Sequence, residues 1–276
     1  MIHNVIHLKD FFSQLGENGC DPTLTLYLLD NMTCMGRQDQ LRPTILICPG
    51  GGYSDISQRE SEPIAMQFTA KGYNAAVLTY SCAPNRFPTQ LREVAAAMEL
   101  IHTNANCWHC DPGRVAILGF SAGGHLAGHY STCFNCAEVR EMFPESKPVN
   151  ASVLCYPVIT AYPPYRHLGS FVNLSGHKEP TDADIAKLSL EKQVTEQTPP
   201  TFLWHTAEDK GVPPMNSLLY AQALAEKKVP FTLHMYPFGY HGLATVDEQT
   251  LRDLNDKIRL AGAWIDEALK WLKFTL

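Results

Sequence analysis

The segment from Gly119 to Gly123, G-F-S-A-G, places a serine in the G-x-S-x-G pattern. The stretch 114–118 before it, apolar apart from Arg114, predicts a buried strand, and the small residues 122–130 after it predict a helix. A sharp turn between a strand and a helix lifts the Ser121 hydroxyl above the sheet, where it can act as a nucleophile. The two glycines remove side chains that would collide with neighbouring backbone. The segment therefore predicts a nucleophile elbow, although a simple Gly-Ser turn has the same pattern.

Two groups that could activate this serine follow later strands. Asp209 comes just after an apolar strand predicted over 201–206, and His241 lies in a Gly-flanked loop after a strand predicted over 231–236. A histidine that is neutral at cellular pH can take the serine proton, and a carboxylate can hold the imidazole in the required tautomer. We therefore predict Ser121, Asp209 and His241 as a catalytic triad.

Three neighbouring residues are alternatives for these roles. Glu208 adjoins Asp209 and is the rival acid. His205 lies inside the predicted strand, which favours a hydrogen-bonded core histidine over a base. His125 follows the serine by four residues on the same helix face, and we expect it to pack or hydrogen-bond there, because a base approaches the hydroxyl from a separate loop.

A run of three glycines, Gly50-Gly51-Gly52, ends an early apolar strand predicted over 44–48. Backbone amides without side chains can approach a ligand closely, and together with the amide of Ala122 they could stabilise an oxyanion. A phosphate-binding loop would need G-x-x-x-x-G-K-[ST], and a dinucleotide-binding loop would need G-x-G-x-x-G. Neither pattern is met here, so we predict an oxyanion hole.

Strands and helices alternate along the rest of the chain, which predicts an α/β fold with a mainly parallel sheet covered by helices on both faces. Chemistry gathers beyond the carboxyl ends of such strands, where each triad candidate lies. Residues 1–20 give no clear signal, and 160–199 look irregular apart from one short helix near 182–190. Further strands are predicted over 23–29, 73–80 and 152–159, and further helices over 60–71, 88–104, 216–228 and 247–272.

Composition excludes several classes of protein. The 276 residues carry a formal charge of −6 with acids and bases intermixed, which argues against a nucleic-acid partner. No basic segment followed by an apolar run opens the chain, and no stretch is long and apolar enough for a membrane helix. We therefore expect a cytoplasmic protein. The nine cysteines then indicate thiols or a metal site.

Four of the cysteines form two C-x-x-C pairs: Cys107 with Cys110, and Cys133 with Cys136. Their spacing resembles that of a zinc ribbon. The segment between them is the predicted elbow strand and helix, which is unlike the turns of a zinc knuckle. A structural zinc, or a zinc-stabilised binding protein without catalysis, is thus the alternative to a buried-thiol role.

From Thr44 to Trp271 the chain resembles the α/β-hydrolase superfamily, and within it the acetyl-xylan-esterase-like group related to hormone-sensitive-lipase-type esterases. The motifs that carry the resemblance are Pro49-Gly50-Gly51-Gly52-Tyr53, residues 78–84 (L-T-Y-S-C-A-P), residues 119–127 (G-F-S-A-G-G-H-L-A), Tyr156-Pro157-Val158-Ile159, Asp209 with Val212-Pro213-Pro214, and Tyr240-His241-Gly242. Lipase-type members carry histidine at Pro49 and arginine at Ser81. Both departures favour the acetyl-esterase-like branch.

The resemblance implies a cofactor-free serine hydrolase of short-chain carboxylic esters, including acetylated sugars, that works through an acyl-enzyme. It assigns the nucleophile, acid and base to the predicted triad, and the oxyanion hole to Gly51 and Ala122, assisted by Gly50 or Gly52. A serine peptidase of the prolyl-oligopeptidase type is the alternative inside the fold. We expect one domain over 1–276, with 160–199 as a lid.

We further expect the substrate pocket to include Tyr53, Phe120 and Val212, which stand beside the glycine run, the serine and the acid. The ligand would be a small-molecule ester, and the terminal helix could pair two copies into a homodimer.

Overall fold

The computed structural model describes residues 1–16 and 19–276. Across this described part of the chain runs an eight-stranded sheet with the order β1-β2-β4-β3-β5-β6-β7-β8. The strands are β1 (Ile2–His7), β2 (Thr23–Leu28), β3 (Arg42–Cys48), β4 (Asn74–Thr79), β5 (Cys110–Phe120), β6 (Ala151–Cys155), β7 (Thr201–Thr206) and β8 (Phe231–Tyr236).

Strands β3 to β8 pair in parallel with their neighbours, for example Ile47 with Val77 of β4 and with Leu118 of β5. Within the described residues, antiparallel pairing is found only at one edge of the sheet, where β2 runs antiparallel to both β1 and β4. Parallel neighbours require crossover connections, which helices supply here. The mainly parallel α/β sheet predicted from the sequence is confirmed.

The helices cover both faces of the sheet. They are α1 (Glu62–Thr69), α2 (Thr89–Thr103), α3 (Ser121–Cys133), α4 (Ala137–Arg140), α5 (Leu168–Ser175), α6 (Asp182–Leu188), α7 (Met215–Glu226), α8 (Asp256–Arg259) and α9 (Trp264–Thr275). Successive strand residues point to opposite faces, so Leu46 packs with α2, α3 and α7, whereas Ile45 and Ile47 pack with α1 and α9. All three side chains are fully buried.

Two predicted elements have wrong boundaries. The terminal helix begins at Asp256 rather than at residue 247, because the Asn255 side chain accepts hydrogen bonds from the amides of Lys257 and Ile258 and so caps its first turn. Strand β6 ends at Cys155 rather than at residue 159, because Tyr156 turns out of the strand with a φ of 36°.

Several further elements were not predicted from the sequence, among them strand β1 and helix α5. Strand β1 lies at the sheet edge and is mostly exposed, so it has no apolar run. Helix α5 lies inside the segment expected to be irregular, and the ring of His167 caps its first turn. Histidine is outside the usual set of capping residues. The signal that could have marked this helix is Gly176, which ends it in the left-handed conformation.

Candidate active site

The carboxyl ends of the central strands bring the predicted residues to one edge of the sheet. The glycine run follows β3, Ser121 follows β5, Asp209 follows β7 and His241 follows β8. Because these strands are parallel, their ends share one edge. The structure therefore assembles side chains that are up to 120 residues apart in the sequence.

The turn at Ser121 is as tight as the G-x-S-x-G pattern requires. Ser121 itself has a φ of 53°, a strained conformation for a residue with a side chain. A Cβ at Gly119 would lie 2.2 Å from the carbonyl oxygen of Gly123, and a Cβ at Gly123 would lie 2.1 Å from that of Cys48. Only glycine at these two positions lets the strand, the turn and the helix pack against each other.

Two short hydrogen bonds join the three polar side chains in line. Nε2 of His241 lies 2.7 Å from Oγ of Ser121, and Nδ1 of His241 lies 2.7 Å from Oδ2 of Asp209. A carboxylate accepts hydrogen bonds, so it favours the tautomer that carries the proton on Nδ1. Nε2 is then the acceptor for the serine hydroxyl. This arrangement can deprotonate a serine as it attacks a substrate.

Asp209 is held in its ionised form by several donors. Its Oδ1 accepts from the amides of Gly211 and Val212 at 2.8 and 2.9 Å. Burial by itself would raise the pKa of Asp209, but hydrogen bonds from His205 and His241 outweigh burial and hold that pKa well below its usual range. A permanent negative charge therefore faces the His241 ring.

The alternative residues occupy other positions. The carboxylate of Glu208 accepts from the amide of Gly239 at 3.3 Å, and no bond from it to His241 is found in the described part of the chain. His205 is fully buried, with its Nε2 3.0 Å from the carbonyl oxygen of Val212. His125 is fully buried as well, between the Tyr53 hydroxyl and the carbonyl oxygen of Leu188. Burial lowers the pKa of His125 to about 3.

The glycine loop runs directly beside the serine. A Cβ at Gly50 would lie 3.0 Å from the Cβ of Ser121, and Gly51 has a φ of 132° that disfavours any side chain. The amide of Gly50 already donates to Oε2 of Glu60 at 2.9 Å. Within residues 1–16 and 19–276, neither the amide of Gly51 nor that of Ala122 has an acceptor. These two amides can therefore donate to a bound ligand.

The three residues expected to line a substrate pocket are core residues instead. Tyr53, Phe120 and Val212 have at most 1% of their surface exposed. Phe120 packs against the rings of Tyr156 and Trp264, and the Tyr53 hydroxyl is bound to His125. Such side chains have no surface to offer a substrate, so this expectation is wrong. These residues are close in sequence to site residues, but their side chains pack in the core beneath the site.

A cleft of about 850 Å³ opens beside His241, whose side chain is 26% exposed. Its lining includes the aromatic rings of Phe238 and Tyr240 together with Asn255 and Lys257. Tyr240 is 43% exposed, and the Lys257 ammonium group lies 5.1 Å from the centre of the Phe238 ring. The cleft thus combines exposed ring surface with hydrogen-bonding groups.

The segment 160–199 contacts the glycine loop through helix α5. Nδ2 of Asn173, in α5, donates to the carbonyl oxygen of Gly52 at 2.9 Å. Burial lowers the pKa of His167, which stands at the start of α5. The segment therefore contacts the glycine loop and places His167 near His241 and Asp209.

The two cysteine pairs do not form a metal site. Among the described residues, no group of three or more histidine, cysteine, aspartate or glutamate side chains could hold a metal ion. Cys107 is exposed, whereas the Cys110 sulfur is buried and accepts from the side-chain amide of Asn74 at 3.6 Å. Cys133 and Cys136 contact each other at the end of α3. The structure does not gather these four cysteines into a set of metal ligands.

None of the described helices is long and apolar enough to cross a membrane.

Comparison with known proteins identifies the family of this chain. Residues 29–224 match the family named BD-FAE. The chain belongs to the BD-FAE family. Among its relatives, endo-1,4-beta-xylanase B of Butyrivibrio fibrisolvens is 37% identical over 84% of this chain and 36% of its own length. The acetylxylan esterase of Xylanibacter ruminicola is 28% identical over 89% of this chain and 52% of its own length. This BD-FAE chain thus spans about a third to a half of these relatives.

Solved structures show the same fold over almost the full chain. The acetyl ester-xyloside bifunctional hydrolase of Caldicellulosiruptor lactoaceticus has a TM-score of 0.83, 34% identity, and coverage of 98% of this chain and 95% of its own. A carboxylesterase of Lactobacillus plantarum has a TM-score of 0.84, 31% identity, and coverage of 99% and 97%. The α/β-hydrolase fold and the esterase-like resemblance drawn from the sequence are confirmed.

Proposed function

We propose that this BD-FAE chain is a serine hydrolase of short-chain carboxylic esters, with acetylated saccharides as its substrate class. The observation that carries the proposal is the line of two 2.7 Å contacts from Ser121 through His241 to Asp209. Beside this line the amides of Gly51 and Ala122 have no acceptor in the described part of the chain. A nucleophile, a base, a carboxylate and free donors are the parts that acyl transfer requires.

The proposed reaction has two halves. Oγ of Ser121 attacks the ester carbonyl carbon while its proton passes to Nε2 of His241, and the carbonyl oxygen takes up the negative charge. The amides of Gly51 and Ala122 donate to that oxygen, and one such donor is typically worth about 10²–10³ in turnover. The carbon–oxygen bond to the alcohol then breaks, and the alcohol leaves with the proton from His241.

Water completes the cycle. It attacks the acyl group on Ser121, gives its proton to His241, and the acid leaves as Oγ recovers a proton. The charge of Asp209 stabilises the imidazolium formed in each half. All steps use this chain's own groups.

Two observations support a saccharide ester as substrate. The relative named acetylxylan esterase is 28% identical to this chain, and the solved structure named acetyl ester-xyloside bifunctional hydrolase shares its fold at 34% identity. The leaving alcohol takes its proton from His241, so it lies on the histidine side of the site, where the cleft with Tyr240 and Phe238 opens. Exposed aromatic rings offer apolar faces to sugar rings, and Asn255 and Lys257 offer donors to hydroxyl groups.

The acyl side is expected to be short. Ser121 is only 8% exposed, and α5 closes over the glycine loop through the bond from Asn173 to Gly52. We therefore propose that segment 160–199 forms the wall that limits acyl length.

The test compares the parent with Ser121→Ala. On p-nitrophenyl acetate the variant is expected to keep less than about a hundredth of parental activity, because triad residues act as a unit. A folded variant above that level contradicts the proposal. The parent is then given acetylated xylo-oligosaccharides, an unsubstituted acetyl ester and a dipeptide amide. Preference for the saccharide ester supports the substrate class, and preference for the amide favours a peptidase.

A further inference from the structure

A buried carboxylate, Glu60, lies between the glycine loop and the loop that carries His241. Only 3% of its surface is exposed. Its Oε2 accepts from the amide of Gly50 at 2.9 Å, and its Oε1 accepts from the Tyr156 hydroxyl at 2.7 Å. Burying a carboxylate is costly unless hydrogen bonds compensate it. The two bonds reach in different directions, so Glu60 links two parts of the chain that lie about 100 residues apart.

The first bond fixes the glycine loop next to the nucleophile. The position of a Cβ at Gly50 would be 2.7 Å from Oε2 of Glu60 and 3.0 Å from the Cβ of Ser121. The carboxylate and the serine therefore flank the same point of the loop. The Gly50 carbonyl, which shares a peptide plane with the Gly51 amide, accepts from the amide of Ser57 at 2.9 Å, so Glu60 and Ser57 hold Gly50 from its two sides and together orient the Gly51 amide.

The second bond fixes the His241 loop through Tyr156. The Tyr156 hydroxyl donates to Glu60 and accepts from the amide of Ala244 at 2.9 Å. The Tyr156 ring packs edge-to-face on the His241 ring, with centroids 5.1 Å apart and an angle of 72°. The carbonyl oxygen of Ala244 in turn accepts from Nε1 of Trp264 at 2.9 Å. One tyrosine thus contacts both the His241 ring and the loop after it.

Backbone strain on this path indicates that the contacts hold the loops in place. Tyr156 has a φ of 36° and Ala244 a φ of 50°, both in a region that residues with side chains rarely occupy. Such conformations persist only when the surroundings over-determine them. The hydroxyl of Tyr156 joins these two positions directly.

We propose that Glu60 is a positioning residue for the reaction described above. It holds the Gly51 amide and the His241 ring in register over Ser121, through Gly50 on one side and Tyr156 on the other. Glu60 touches neither the substrate nor the reacting atoms. This inference rests on the proposed esterase function, and it adds a residue that the triad and the oxyanion hole do not include.

The test is Glu60→Gln, which keeps the size of the side chain. Its NH₂ group must face either the Gly50 amide, which is also a donor, or the Tyr156 hydroxyl, whose proton then has no acceptor at this position. In either case one of the two bonds that the carboxylate accepts is lost. Because small misplacements of reacting groups cost up to about 100-fold, kcat on p-nitrophenyl acetate is expected to fall about 10- to 100-fold. KM should stay within about threefold.

Glu93→Gln is the matched control. Glu93 is also a buried glutamate that accepts from a backbone amide, that of Ser81 at 2.7 Å, and Ser81 belongs to neither loop. Its substitution is expected to leave kcat within about threefold of the parent. If Glu60→Gln retains parental kcat, or if both variants lose activity alike, the positioning role is refuted.

A second variant keeps the proposal testable if Glu60→Gln does not fold. Tyr156→Phe retains the ring on His241 and removes only the hydroxyl, and its kcat is expected to fall at least about threefold. When Glu60→Gln folds, the hydroxyl should matter less in its background than in the parent, because the two residues share one path. Fully independent effects, or a parental kcat in Tyr156→Phe, overturn the inference. Ser121→Ala in the same assay separates this result from failure of the proposed function.

Discussion

Replacing Asp209 by asparagine keeps the shape of the side chain but should move the ring proton of His241 from Nδ1 to Nε2. Oδ1 of Asp209 accepts two backbone amides, from Gly211 and Val212. In Asp209→Asn the remaining carbonyl oxygen must face those two donors, because the new NH₂ group cannot accept them. The NH₂ group therefore replaces Oδ2, which lies 2.7 Å from Nδ1 of His241. Nδ1 must then accept, so the ring proton moves to Nε2.

With a proton on Nε2, His241 presents a donor to Oγ of Ser121, although the reaction needs an acceptor there. Loss of the correct tautomer in a serine triad costs about 10⁴ in turnover, or roughly 5 kcal/mol of activation free energy. The assay is kcat on p-nitrophenyl acetate, with circular dichroism and thermal unfolding as the check that the variant is folded. Losing bonds to a charged acceptor should also lower the free energy of unfolding by about 1–3 kcal/mol.

The neighbouring Glu208→Gln is the control. The Glu208 carboxylate accepts from the amide of Gly239, and the side-chain oxygen of glutamine can accept the same bond. Its kcat on p-nitrophenyl acetate should stay within about threefold of the parent. A folded Asp209→Asn that loses less than about tenfold, or a Glu208→Gln that loses more than Asp209→Asn, would refute the tautomer reasoning.

Three further predictions follow from single contacts. Burial raises the pKa of Glu93 to about 7, so the stability that its neutral form contributes is complete near pH 4 and is lost as pH rises through 7. Thermal unfolding at pH 5 and 8 should therefore show a smaller loss for Glu93→Gln than for the parent; an equal loss contradicts this. Tyr240→Ala should raise KM for acetylated xylo-oligosaccharides and leave p-nitrophenyl acetate kinetics unchanged, and an equal effect on both would exclude the cleft as a sugar site. Gly123→Ala places a methyl group 2.1 Å from the Cys48 carbonyl oxygen, and it should lower the yield of folded protein or the unfolding temperature well beyond the effect of Gly113→Ala, whose nearest contact is 3.4 Å. Similar stability of the two would refute the packing reason for the motif.

The central sheet could be predicted because its strands are short apolar runs, as at Ile45 to Ile47, separated by helices with one apolar stripe. The grouping of Ser121, Asp209 and His241 could be predicted for the same reason. Each residue follows a parallel strand, and parallel strands end at one edge. Local patterns and topology were sufficient there.

The remaining features depend on contacts that leave no local pattern. In the sequence Glu60 is the first residue of the helix predicted over 60–71, among charged and polar neighbours, and only the fold shows it buried between Gly50 and Tyr156. The start of the terminal helix depends on which polar residue caps it, and Asn255 does so. Tyr53 and Phe120 adjoin site residues in sequence but point into the core, because neighbouring residues of a strand or turn face opposite sides.

Covalent labelling of Ser121 tests the central claim most directly. A fluorophosphonate reacts only with a serine that a neighbouring base has activated, and its adduct can be located by peptide mass spectrometry. The predicted result is one adduct per chain on the peptide that contains Ser121, with labelling strongly reduced in a folded His241→Ala variant. A folded parent that is not labelled, or that is labelled at another residue, would contradict a nucleophilic Ser121 served by His241.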